Sequence, residues 1–346
     1  REGNPVLILR PVAERDLDDL VLLAALLDSM NLPSDRSFLA QRIHDSLRSF
    51  AGDTTRRSEA VYVFVPEDLA QRRCVGTSTI LAKHGTPESP HFWLELSTEE
   101  RQCTELQRRF AHDKLRLRSS ADGPTEIGGL ILDPRYRRHA EKCGKALSIV
   151  RFAYIASHLE CFEREVIAEM LSPFEASGAN RLWDAFGARF TGLSFHEADR
   201  LSTRTKTFIA DLFPRDPVYA TLFPREVQEV IGKPNETAVA ALRILERLGF
   251  RYLHQVDPFD GGPYFGAARD AIASVRERRE LVLPSLADDE PVEMHEPLAL
   301  LSAEGSFGFR AVVVPIDDDG FPCVSKECRE ALGVAAGDRV AVTPLP

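Results

Sequence analysis

The sequence predicts an α/β or α+β chain built around one central sheet, with a small β-rich subdomain towards its C-terminal end. Three observations carry this. Apolar runs of strand length alternate with amphipathic helical segments through most of the chain, the order expected of a sheet covered by helices. At 346 residues the chain exceeds what a single core usually supports, so one large or two medium domains are expected. After a charged, proline-bearing stretch from Arg276 to Pro297, composition shifts to short β-type runs. The expected division is a main region at residues 1–290, with room for two similar halves, and a β-rich subdomain at 295–346.

The elements follow in order. Leu7 to Arg10 reads as a strand, and Asp16 as the cap of a helix whose apolar residues recur at three and four positions. A second helix, Ser37 to Phe50, follows Pro33. The apolar run Val61 to Val65 is a strand that Pro66 should end. Cys74 to Leu81 is the next strand. Ser97 to Asp113 is charged and amphipathic, which predicts a helix or helical turn, and Lys114 to Arg118 alternates like an exposed strand. Ile127 to Leu132 is a continuous apolar strand followed by the helix Lys145 to Leu159. Later strands are expected at Glu165 to Met170 and Phe250 to Val256, with helical segments at Ala179 to Phe190, Arg225 to Ile231 and Thr237 to Leu248. In the subdomain, Phe309 to Val314 is a strand and Leu332 to Val342 resembles a turn-and-strand unit of small β-barrels.

Bulk properties narrow the function. A net charge of -10 argues against a broad nucleic-acid footprint, which needs clustered Lys and Arg. No apolar stretch approaches the roughly 20 residues that span a bilayer, and REGNPVLILRP lacks the apolar core of a signal peptide, so a cytoplasmic location is expected. The 6 cysteines form no C-x-x-C pair and no zinc-type grouping with histidine, so they read as reduced thiols, and no metal is expected.

The segment from Glu126 to Phe152 carries the chemistry. It runs strand, Asp-Pro turn, Arg137, Arg138, Gly144 and helix. A basic turn feeding a helix N-terminus cradles phosphate, and a bulged strand frees backbone N–H groups for a ligand. Glu169, amid Val, Ile, Ala and Met, is costly to bury without a purpose, which makes it a base acting through water or a substrate anchor. Asp257 and Asp260 in VDPFDGGP suit bidentate binding of a guanidinium. Tyr219, Tyr252 and Tyr264 are candidate acids or proton relays, and His84 and His91 bracket a loop that can line an acceptor pocket. Lys114, Arg116 and Arg118 are candidate seats for a ligand carboxylate.

LILDPRYRR, VIAEM, FIADLFPRDPVY, VIG, GFRY and FDGGP, with LRPV and NLPSDR near the start and GDRV near the end, occur in the order and near the spacing of one family. By these motifs the chain resembles the arginine N-succinyltransferases of the GNAT acyltransferase superfamily over about nine tenths of its length. The resemblance implies an elaborated or tandem GNAT fold and transfer of succinyl from succinyl-CoA, the acyl donor, to the α-amine of arginine. It implies small-molecule substrates, no nucleic acid or membrane partner, and self-association into a homo-oligomer. It places Leu130, Ile131 and Leu132 on the bulged donor-binding strand, with Arg137, Arg138, Gly144 and Lys145 at the phosphate loop.

Two departures stand out. The family's proton-donor histidine falls at Asn235, which cannot titrate but can orient a thiolate or carbonyl by hydrogen bonding. The phosphate loop is about two residues longer than usual and reads Lys142, Cys143, Gly144. A thiolate is already a competent leaving group, so loss of the acid need not abolish transfer. Two other readings stand beside the active enzyme: an acyltransferase for a different amine or acyl-CoA, and a silent homologue that binds acyl-CoA or pairs with an active subunit.

Overall fold

The structure, a computed structural model, describes residues 7–27, 35–175, 178–202, 205–284 and 292–346. Pro33, most of the NLPSDR motif and part of the proline-bearing linker lie outside these residues.

Fifteen strands form one sheet. They are β1 (Leu7–Pro11), β2 (Val61–Asp68), β3 (Arg73–Cys74), β4 (Gly76–Leu81), β5 (His91–Cys103), β6 (Arg108–Ser120), β7 (Thr125–Leu132), β8 (Glu165–Glu169), β9 (Val218–Tyr219), β10 (Arg251–Val256), β11 (Pro263–Ala268), β12 (Arg279–Val282), β13 (Leu298–Gly305), β14 (Gly308–Pro315) and β15 (Arg339–Pro344). The spatial order is β12-β15-β13-β14-β1-β2-β4-β7-β8-β11-β10-β5-β6-β9, with β3 on β2. All pairs are antiparallel except β7 and β8.

Strand alternation explains how the sheet is covered. Helices α1 (Leu17–Leu27) and α2 (Arg36–Phe50) pack on Val61, Val63, Val65 and Ile131. On the other face, α3 (Cys143–Ser157) and the helix Val239–Arg247 pack on Tyr62, Phe64, Ile80 and Ile127. A helical insert built around Trp183, Phe186 and Phe213 covers Phe92, Leu94, Leu115 and Val256. Strands β13 to β15 gather their own core of Leu301, Val312, Val314, Leu332 and Val342, and meet the rest of the sheet where β14 pairs with β1. Among the described residues, no helix is long and apolar enough to cross a membrane.

Two expectations on local structure are corrected. Pro66 does not end its strand: β2 continues to Asp68 because Glu67 and Asp68 pair with β1 on one side and β3 on the other, while the Pro66 carbonyl accepts from Val75 (2.9 Å). Ser97 to Asp113 is not helical. It lies in a hairpin in which β5 and β6 pair over all 13 residues of each strand. Cross-strand pairs hold the charged residues: Lys114 reaches Glu99 at 2.9 Å, Thr98 reaches Asp113 at 2.6 Å, and Arg109 bonds Glu100. Gln107, at φ 50°, makes the turn. Good helix formers are overridden because the hairpin ladder, anchored to the sheet by β10 at Leu94 and Glu95, runs on through this segment.

Candidate active site

Strands β7 and β8, joined by α3, pair only at Thr125 with Val166 and at Glu126 with Ile167. Beyond that point they part. On its other edge β7 is irregular: Thr77 opposes Ile131 and Thr79 opposes Gly128, which leaves Gly129 and Leu130 facing Ser78 alone. Gly129 has φ 56°, and a Cβ there would lie 2.8 Å from Thr79 Oγ1, so the bulge needs glycine on both counts. The result is a cleft whose wall is backbone, at the residues that the sequence assigns to donor binding. Leu130 and Leu132 are half-buried against the core, while Ile131 is buried on the α1–α2 side and offers only its backbone.

The other donor-binding candidates lie past the end of β7. Asp133, buried, caps the turn Pro134–Tyr136 through Arg135 N (3.0 Å) and pairs with the Arg135 guanidinium (2.6 Å). Lys142, at φ 47°, turns the chain into α3, whose first turn receives no side-chain cap. Its orphan N–H groups leave an anion seat at the mouth of the cleft. Arg137 and Arg138 are exposed beside it and make no ion pair among the described residues. Gly144 has open space around its Cβ direction, with Leu132 Cδ2 3.7 Å away. Lys145 is already engaged, with Nζ donating to the Pro346 carbonyl at 2.6 Å, and Lys142 reaches Glu296 at 3.3 Å.

At the end of β8 the acidic candidates converge. Glu169 lies opposite Tyr264 in the register, and the Tyr264 hydroxyl is 3.1 Å from Glu169 Oε2 and 3.4 Å from Asp257 Oδ2. Asp257 Oδ1 accepts from the amides of Phe259 (2.7 Å) and Asp260 (3.0 Å). Asp260 is buried, and its two oxygens accept from Ser172 N (2.9 Å) and Gly262 N (2.6 Å). Asp260 therefore holds the turn, while Glu169 and Asp257 keep partly exposed surface. Glu169, Asp257 and Asp260 each offer an oxygen within 4.8 Å of the others. Burial, and then mutual repulsion, pushes the carboxyls of Glu169 and Asp260 upward, Asp260 to about 7. Burial also raises Asp257, against the pull of its backbone donors and Lys206. Backbone donors favour the anions of Asp257 and Asp260, so a shared proton falls to Glu169. Such a pocket is short of positive charge.

A second group completes the site. Glu126, at the last paired position of β7, bonds His84 Nδ1, and His84 Nε2 is 3.4 Å from Lys206 Nζ. His91, only 3% exposed, packs edge-on against His84 (4.5 Å) and Tyr264 (5.3 Å). Burial, and then the neighbouring His84, holds the His91 imidazole down to about 3, so it is neutral. Although burial opposes it, the His84 interaction holds the Glu126 carboxyl down to about 2. The sequence raised both histidines as pocket residues but not Glu126, which is a carboxylate beside a continuous apolar strand run as Glu169 is. That shared pattern was the available signal.

Asn235 lies where the chain leaves the cleft. Its N–H donates to the Leu171 carbonyl just beyond β8 (2.7 Å), and Oδ1 caps the turn Glu236–Ala238 through Thr237 N (2.9 Å). Other candidates are elsewhere. The Tyr219 hydroxyl donates to Glu99 (2.8 Å) in the β5–β6 hairpin, and Tyr252 packs on Phe265 (5.6 Å). Lys114 and Arg118 pair with Glu99 and Glu95 on the hairpin, and β5, β10, β11 and β8 separate it from β7. Arg116 shares that strand. These cations are close to the donor strand only in sequence. All 6 cysteines are free thiols, and burial pushes Cys143 up to about 12.

Comparison with known proteins identifies the family. The family model described as arginine N-succinyltransferase beta subunit matches residues 7–274. An arginine N-succinyltransferase of Yersinia pseudotuberculosis is 34% identical over 97% of each chain, and one of Citrobacter koseri is 32% identical over 98% of each. The solved structure of arginine/ornithine succinyltransferase subunit AI from Pseudomonas aeruginosa superposes with a TM-score of 0.82 at 28% identity, covering 99% of this chain and 100% of that one. Over nearly its whole length, then, the chain belongs to the arginine N-succinyltransferase family.

Proposed function

We propose that this chain transfers the succinyl group of succinyl-CoA to the α-amine of arginine in the cytoplasm. The observation that carries the proposal is the acidic pocket of Glu169 and Asp257 at the open end of the β7–β8 cleft. An arginine side chain brings the positive charge this pocket lacks, and its planar guanidinium matches paired carboxylates.

The residues divide the work along the cleft. The α3 N-terminus with Arg137 and Arg138 takes the CoA phosphates, and the backbone at Gly129 and Leu130 takes the pantetheine arm and polarises the thioester carbonyl. Glu169 and Asp257 orient the acceptor, with Tyr264 steering both carboxylates. The α-amine is mostly protonated at neutral pH and must lose that proton before attack. The His84 imidazole, oriented by the Glu126 carboxylate at Nδ1, is the acceptor, with the neutral His91 packed behind it. The amine nitrogen then bonds to the thioester carbon, the C–S bond breaks with its electron pair leaving on sulfur as thiolate, and the second proton, shed by nitrogen as the amide forms, passes to water. Asn235, at the family's histidine position, donates a hydrogen bond to that thiolate rather than a proton. Glu169 is thus a substrate anchor, and the base is His84, held in place by Glu126 of β7.

The test is release of free CoA thiol from succinyl-CoA, with and without arginine, beside acetyl-CoA as donor and ornithine or lysine as acceptor. The proposal expects rapid release from succinyl-CoA that depends on arginine. CoA binding without release for any pair would overturn it in favour of a silent acyl-CoA-binding homologue.

A further inference from the structure

A buried cation under the donor cleft has no counter-charge. Arg151, on α3, is 3% exposed, and among the described residues it pairs with no carboxylate. Its guanidinium donates to the Ser148 carbonyl (3.1 Å) and Ser148 Oγ (2.9 Å), lies 3.5 Å from the Gly128 carbonyl, and has its centre 5.8 Å from the Phe152 ring. All these partners are neutral. Burial alone pulls the guanidinium down to about 9, which still leaves it charged at neutral pH. A buried charge held only by neutral groups is costly, and leaving it uncompensated needs a reason.

Its position supplies one. Gly128 is the residue before the bulge, beyond the last pairing of β7 with β8, and Arg151 meets it from the α3 face. Gly128 and Leu130 flank Gly129 at the bulge, so a group on the Leu130 backbone and one beside Gly128 are a short acyl chain apart. We propose that Arg151 is the donor-specificity residue of this site: its guanidinium receives the distal carboxylate of a dicarboxylic acyl group whose thioester carbonyl rests on the Gly129–Leu130 bulge. Ser148 is a positioning residue that fixes the guanidinium. This rests on the reading of the cleft as a succinyl-CoA site, and it assigns the carboxylate to a residue none of the hairpin cations can replace.

The test compares succinyl-CoA with butyryl-CoA, which has the same chain length and no charge, as donors to arginine. The wild-type protein is expected to favour succinyl-CoA strongly in kcat/KM. If it uses both equally, the succinyl reading and the Arg151 assignment fail together. Given wild-type preference, Arg151→Met should lower the succinyl-to-butyryl ratio by at least about 30-fold, the scale of losing one partner of a buried charge pair, and Arg151→Lys should retain part of the preference. Because Arg151→Met can also weaken folding, Ser148→Ala is measured beside it and should lower the same ratio several-fold. An equal loss of both donors in every variant would show that Arg151 only supports the bulge, and would overturn the assignment with the succinyl reading intact.

Discussion

The β5–β6 hairpin and the β7–β8 pair are built from the same strand geometry and differ in how much of it is used. In the hairpin every register position is filled along 13 residues, and its outer end is exposed and charged. In the β7–β8 pair two positions are filled, and then the strands separate around a bulge. Backbone groups that complete a ladder have nothing left to offer a ligand, whereas those of Gly128 to Leu132 do. Catalytic potential here is a matter of where pairing stops.

That contrast can be broken or sharpened experimentally, and the largest effect belongs to Glu126, the last β7 residue paired with β8, which orients the proton acceptor His84. Glu126→Gln keeps the shape of β7 but removes the carboxylate beside His84. It should lower kcat for succinyl transfer about 10²- to 10⁴-fold with little change in KM for succinyl-CoA, as steady-state kinetics would reveal. If kcat stays within a few-fold, the base lies elsewhere.

Next in size is the bulge itself. Gly129→Val forces a β-branched residue into φ 56° and towards Thr79. Calorimetric titration should record at least a tenfold loss of CoA affinity, roughly 1.4 kcal/mol, with the circular dichroism spectrum unchanged. Retained affinity would mean that the bulge is dispensable.

The acidic pocket predicts a pH effect of moderate size. A carboxyl raised in the folded state stabilises the protein below its unfolded value near 4, and that contribution is lost as pH rises through about 7 for Asp260. His91, held down to about 3, acts in the opposite sense only below about 6.5, where the unfolded state takes up its proton. Between pH 6.5 and 8 the carboxyls therefore dominate. Arginine should raise Tm more at pH 8 than at pH 6.5, by a few degrees, because its guanidinium meets a more fully ionised pocket, and Glu169→Gln should flatten that difference. An arginine effect that shrinks with rising pH would contradict the assignment. The smallest effect is expected at the hairpin tip, where Leu106 is 68% exposed: Leu106→Lys should leave stability within about 0.5 kcal/mol and kcat/KM unchanged.

The two regions also mark what the sequence could tell. The donor strand and its helix were readable because Ile127 to Leu132 is continuously apolar with two adjacent glycines, and because a basic turn precedes the helix, so local pattern and global position agree. The hairpin was not. Glu, Gln and Arg between Ser97 and Asp113 favour a helix locally, and only pairing of β5 with β6 across the hairpin makes them strands. The site divides in the same way. Glu169, Asp257 and Asp260 were legible as carboxylates in apolar or turn settings, yet Asp260 spends its oxygens on backbone amides. Glu126, His84 and His91 meet only because β4, β7 and the start of β5 come together, which no spacing along the chain encodes. Lys114 and Arg118 failed for the converse reason: residues next to a strand in sequence can be four strands away in the sheet.

The central claim is that the unpaired stretch of β7 binds the acyl donor, and amide hydrogen exchange with and without CoA tests it directly. The account predicts new protection at residues 128–132 and at the start of α3, with no change at residues 97–113. Protection that appears elsewhere while 128–132 exchange as before would contradict it.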